Sequence, residues 1–182
     1  VWGLYGGAML SMNANSKTAE SPLRPEDGSY YTHDFIFNRS LRRLREAGAD
    51  PLAVVRQATR EYGLELHYYI RMSAFYAPFP HMNWTTRFFK EHPEFRCRDE
   101  TGRLLNFISY AYPQVQEHLL KFYAELLEYD PEGICLAFNR GLPLMICEEP
   151  VLEAFRRKHG RNPKLPDEWN SPELQTVRHE LL

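Results

Sequence analysis

The feature that most constrains the fold of this 182-residue sequence is an order of segments that occurs twice. A helix-forming stretch leads through a short turn into an apolar strand, and a long loop follows the strand. The predicted strands lie near residues 1–6, 64–71 and 133–140. This order is typical of βα units arranged around a parallel sheet, so the sequence predicts an α/β fold.

The lengths of the connections favour a (β/α)8 barrel over a doubly wound sheet. The turns before the strands are short, whereas long loops such as residues 11–34 follow them. A barrel carries its active site on the loops after its strands, which agrees with this asymmetry. A nucleotide-binding doubly wound sheet would have a Gly-rich phosphate loop after a strand, and neither of the later two strands has one.

A complete barrel needs about 250 residues and eight strands. Because three strands are predicted, we expect residues 1–182 to form a single partial barrel domain. The chain begins with Val1 inside an apolar run and ends in a helix-like segment, so we expect truncation at both ends.

Capping residues mark the first of the two repeated helices. Asp50 is a suitable N-cap, Pro51 suits the first helical position and Gly63 suits the end. The predicted apolar face consists of Leu52, Val55 and Tyr62. The second helix is predicted to begin near Pro113 and to present one apolar stripe, formed by Val115, Leu119, Phe122 and Leu126.

The strand at residues 64–71 alternates with a period of two. The apolar set, Leu64, Leu66, Tyr68 and Ile70, is expected to face the helices. His67, Tyr69 and Arg71 would then line the interior, with Arg71 at the mouth, bound to a carboxylate or a ligand. The alternatives are that Arg71 lies solvated beyond the strand and that His67 is a packed core residue.

In the strand at residues 133–140, Ile134, Leu136 and Phe138 are expected to face the helices. Cys135, Ala137 and Asn139 would then point inward, with Asn139 and Arg140 at the mouth. Asparagine and arginine orient hydroxyls or carboxylates through directed hydrogen bonds. A polar strand end that only caps the sheet is the alternative interpretation.

Glu148 and Glu149 are adjacent carboxylates on the loop after this strand. Glycoside hydrolysis uses two carboxylates, about 5–5.5 Å apart for retention and about 6.5–9.5 Å apart for inversion. Sequence neighbours seldom flank a sugar in this way, so at most one of the pair would be catalytic. We favour the alternative that both begin the helix of "VLEAFRRKHG", because acidic residues stabilise a helix N-terminus.

Composition excludes several classes of protein. The chain is 43% hydrophobic with a net charge of −2, which predicts a folded domain without the basic surface of a nucleic-acid-binding protein. No apolar run reaches the roughly 18 residues of a membrane span. The three cysteines form no metal-binding or disulfide pattern, and we expect neither a metal nor a cofactor. Aromatic residues such as Trp84 and Tyr110 suit sugar stacking, although core packing explains most aromatics equally well.

Four segments in order resemble bacterial glycosyl-hydrolase-like proteins related to family 10 glycosidases: "DPLAVVRQATREYGLELHYYIRM", "FFKEHPEFRCRDETG", "ISYAYPQVQEHLLKFYAELLEYDPEGICLAFNRG" and "EAFRRKHGRNP". The resemblance implies a (β/α)8 barrel that acts on or binds a carbohydrate, with this chain supplying about strands 2 to 4. It matches Arg71 and Arg140 to motif arginines and places Tyr110 beside a turn of the family. Ala137 departs from the pattern, because many relatives have aspartate there.

The expected function is therefore that of a glycoside hydrolase acting on a poly- or oligosaccharide, with catalytic carboxylates mostly outside this chain. The first alternative is a carbohydrate-binding barrel without catalysis, because a methyl group at Ala137 cannot transfer a proton. A second alternative is an unrelated barrel enzyme, although none of the predicted strands carries a lysine for a Schiff base. Secretion or export to the periplasm would agree with the resemblance.

Overall fold

The computed structural model describes residues 39–40, 43–44, 46–72, 75, 85–138 and 143–182. The predicted strand at residues 1–6, the loop at 11–34, and Trp84, Asn139 and Arg140 lie outside the described residues. The described elements are α1 (Pro51–Glu61), β1 (His67–Arg71), α2 (Arg87–Glu91), a 3₁₀ turn (Pro93–Phe95), β2 (Arg96–Arg98), β3 (Leu104–Ile108), α3 (Pro113–Leu127), β4 (Gly133–Ala137), α4 (Glu149–His159) and α5 (Pro172–Leu181). This mixture of helices and short strands is α/β in the broad sense.

The chain folds into two compact units. Of the described residues, the first unit contains those between 39 and 90 and between 120 and 138, and the second contains those between 91 and 119 and between 143 and 182.

Helix α1 begins and ends as its capping residues predict. One carboxylate oxygen of Asp50 accepts hydrogen bonds from the backbone N–H groups of Leu52 and Ala53, each at 3.1 Å. Gly63 has a φ of +63°, a conformation that favours glycine over residues with a side chain. The prediction that Tyr62 belongs to the apolar face is wrong, since Tyr62 is 74% exposed. Tyr62 is the C-cap and follows the last helical residue, so it lies beyond the end of the helix.

Strands β1 and β4 pair in parallel, as the repeated order of segments predicts. His67 pairs with Gly133, Tyr69 with Cys135 and Arg71 with Ala137. Strand β1 begins three residues later than expected, because the N–H group of Leu66 bonds the side chain of Glu132 at 2.6 Å and not a strand neighbour. Leu64 therefore lies before the strand and is 61% exposed, which corrects its predicted place in the core.

The core of the first unit covers one face of this parallel pair. Tyr68 and Ile70 are 3% and 0% exposed, as the alternation predicts. Leu52, Leu66 and Tyr68 form a buried cluster, joined by Val55, Leu126, Tyr129 and Ile134. On β4, Ile134 packs against this cluster and Leu136 lies on the predicted face beside Ile70. Leu136 is nevertheless 50% exposed, and Phe138, which follows the strand, is 51% exposed. The cluster reaches the amino-terminal half of β4 and stops there.

A charged clamp fixes the amino-terminal end of the parallel pair. The Arg56 guanidinium donates to both carboxylate oxygens of Glu132 at 2.7 Å, and Glu132 also accepts the N–H group of Leu66. Asp130 accepts bonds from Arg56 at 3.3 Å and from Arg60 at 2.6 Å. The bond from Leu66 and the bond from Arg56 lower the pKa of Glu132 to about 2.

We expect Glu132→Gln to lower the melting temperature by a few degrees at pH 7. The pKa of Glu132 lies near 2 in the folded protein and near 4.3 in an unfolded chain, so its contribution is present above about pH 4.3 and is lost as the pH falls towards 2. Thermal melts of both proteins between pH 7 and pH 2 measure this effect. The difference between them should shrink as the pH falls.

Glu128→Gln is the matched control, because Glu128 is an exposed glutamate just before the same turn. It should leave the melting temperature unchanged throughout this pH range. A Glu132→Gln protein as stable at pH 7 as the parent would contradict the assigned role of the clamp.

The second unit contains an antiparallel pair that the sequence analysis did not predict. Arg96 of β2 pairs with Ile108 of β3, and Arg98 pairs with Leu104. In the turn, Asp99 accepts the N–H groups of Thr101 and Arg103, each at 3.0 Å. The turn-forming residues of "RDETGR", followed by the largely apolar run "LLNFI", are the signal that could have identified it.

Two helices complete the second unit. Helix α4 ends at Gly160, whose φ is +66°, and α5 begins at Ser171, whose hydroxyl accepts the N–H group of Leu174. The helices bury four apolar side chains, those of Val151, Phe155, Leu174 and Val177. Helices α4 and α5 confirm the helix predicted at "VLEAFRRKHG" and the helix-like segment at the end of the sequence.

Candidate functional site

The carboxyl ends of β1 and β4 form the edge at which the sequence analysis places a site. Arg71 and Ala137 are paired at this edge, and the N–H group of Met72 donates to the carbonyl oxygen of Ala137 at 3.2 Å. Arg71 is the last residue of β1, and its side chain lies outside the described part of the structure. Asn139 and Arg140 follow Ala137 in sequence, outside the described residues, so their predicted binding roles stay predictions.

One face of the parallel pair carries the residues predicted to line the interior. Paired residues of neighbouring strands lie on the same face of a sheet, so Tyr69 shares its face with Cys135 and Ala137. Cys135 is exposed, while Tyr69 and Ala137 are half-buried. This face is therefore more accessible than the face of Tyr68 and Ile70. The side chains from β4 are small, whereas those from β1 are large and polar.

His67 lies at the opposite end of β1 from Arg71. Its Nε2 atom is 3.2 Å from a carboxylate oxygen of Glu65, and its side chain is 53% exposed. Arg71 lies four positions further along the strand, a span of about 13 Å. A small ligand at the carboxyl end would not reach His67, so a shared role requires an extended ligand.

The His67 ring also explains the glycine at position 133. A Cβ atom on Gly133 would lie 2.3 Å from Nδ1 of His67, well inside van der Waals contact. The absent side chain makes room for the ring over β4. The sequence analysis did not identify this contact, because it depends on the register of two strands far apart in the chain.

Tyr110 belongs to the second unit and is 4% exposed. Its N–H group donates to the carbonyl oxygen of Leu144 at 2.8 Å, and its carbonyl oxygen accepts Nε2 of Gln116 at 2.7 Å. Stacking on a sugar requires an accessible ring face, so this burial favours the alternative of core packing.

Glu148 and Glu149 have opposite environments at the start of α4. The Glu148 side chain is fully buried and accepts hydrogen bonds from the Ser109 hydroxyl, from the N–H group of Ile146 at 3.1 Å and from that of Arg98 at 3.3 Å. Glu149 is exposed and forms an ion pair with Arg156 of the same helix. Glu148 is the N-cap of α4 and Glu149 is its first residue, so both lie at the predicted start of a helix. The Glu148 carboxylate is enclosed by protein donors and is not presented to a ligand.

Burial changes the titration of two side chains close to Glu148. Burial and then the nearby Glu148 carboxylate raise the pKa of the Cys97 thiol. The same two causes, in the same order, raise the pKa of Tyr112. A thiol with a raised pKa is a poor nucleophile, so Cys97 is a packed residue and not a reactive one.

The described residues lack two features that would indicate a function. They contain no cluster of three or more His, Cys, Asp or Glu side chains arranged to bind a metal ion. Among them, no helix has the length and apolar character needed to cross a bilayer.

A scan against protein-family models finds no match for this chain, and no curated protein matches it.

Proposed function

We propose that this chain is part of a (β/α)8-type barrel that binds a carbohydrate at the carboxyl ends of β1 and β4. The observation that carries the proposal is the parallel register that pairs Arg71 with Ala137 at that edge. It agrees with the resemblance to glycosyl-hydrolase-like proteins, which matches Arg71 and Arg140 to motif arginines. Short connections from α1 to β1 and from α3 to β4 support the same topology.

The proposed activity is hydrolysis of O-glycosyl bonds in a poly- or oligosaccharide. In this scheme Arg71, Asn139 and Arg140 orient sugar hydroxyls through hydrogen bonds. The acid and base are carboxylates on other strands, because Glu148 is enclosed and Glu149 is paired with Arg156. Hydrolysis requires two such carboxylates on either side of the scissile bond.

Binding without hydrolysis is the second candidate function, and Ala137 favours it. This residue occupies the edge position that holds aspartate in many proteins of the resembled family. Its methyl group neither donates nor accepts a proton. Such a barrel would retain the sugar contacts and lack one part of the hydrolytic machinery.

A pair of tryptophan variants tests the proposed binding edge. We expect Ala137→Trp to weaken carbohydrate binding at least about tenfold, or about 1.4 kcal/mol, because an indole would fill the space beside the edge. A defined oligosaccharide array identifies a bound glycan, and titration calorimetry then measures the affinity of each variant.

Leu136→Trp is the matched control, since it adds a large ring at the neighbouring position on the other face of β4. It should bind the glycan as the parent does, with both variants showing the circular dichroism of the folded parent. Equal loss of affinity in both variants, or no binding of any glycan by the parent, would overturn the proposed site.

A second experiment separates the two candidate functions. If Ala137 is what prevents hydrolysis, Ala137→Asp should release more reducing sugar from the bound glycan than the parent does. Ala137→Asn is the control, because it has nearly the same shape without a carboxylate. Equal hydrolysis by the parent and Ala137→Asp would remove the basis for a binding-only barrel.

A further inference from the structure

We draw no further inference here: the strongest candidate, the exposed apolar stripe formed by Leu120, Ala124 and Leu127 on α3, carries nothing because no part of the described structure shows what covers it.

Discussion

Replacement of Glu148 by alanine is expected to lower the free energy of unfolding by about 3 kcal/mol or more. The side chain is fully buried, and its carboxylate accepts bonds from Ser109, Ile146 and Arg98. Alanine would leave these donors buried without an acceptor and would open a cavity beside them. Urea denaturation followed by circular dichroism measures the loss.

Glu149→Ala is the control for this prediction, because it removes the adjacent carboxylate on the exposed side of the same helix start. Its ion pair with Arg156 is solvent-accessible, so the expected cost is below about 1 kcal/mol. Glu148→Gln should also destabilise the protein, since an amide NH₂ would face N–H and O–H donors. Glu148→Ala and Glu149→Ala proteins of equal stability would contradict the structural role of Glu148.

Ile70→Ala is expected to cost about 2–5 kcal/mol of unfolding free energy. Ile70 is 0% exposed on the covered face of β1, and truncation of its side chain leaves a cavity at this buried position. The same denaturation experiment measures the effect, which should appear as a lower midpoint at an unchanged slope.

The register partner of Ile70 supplies the control. Leu136 lies beside it on the same face of the sheet but is 50% exposed, so Leu136→Ala should cost less than about 1 kcal/mol. If Leu136→Ala destabilised the protein as much as Ile70→Ala, the core would extend over the whole of β4. That result would contradict the observed limit of the buried cluster.

Local patterns predicted α1, α3, α4, α5 and the parallel strands, but not the short helix α2. The cap at Asp50, the stop at Gly63 and the alternation of Tyr68 and Ile70 depend on neighbours within a few residues. These features can be predicted from the sequence, because a capping residue bonds groups two or three positions away and strand alternation repeats every two residues. The predicted burial was wrong for Tyr62 and Leu64, which lie just outside α1 and β1.

The sequence predicted where the candidate site lies, at the carboxyl ends of two strands, but not the environment of each predicted site residue. Strand alternation placed Arg71 and Ala137 near the carboxyl ends of their strands, and the structure pairs them. Sequence alone could not distinguish the two adjacent glutamates, because the burial of Glu148 depends on donors 39 and 50 residues away. It also could not show that Tyr110 is enclosed.

The sequence by itself thus determined that α1 precedes β1 and α3 precedes β4, the ends of α1 and the two faces of β1, since these follow from local backbone preferences and periodicity. Only the tertiary structure decided that Gly133 makes room for the His67 ring, that Arg56 bonds Glu132, and that Glu148 is a buried structural acceptor. The contacts of His67 with Gly133, of Arg56 with Glu132 and of Ser109 with Glu148 join residues at least 39 positions apart. Their formation depends on strand register and packing, which no local pattern encodes.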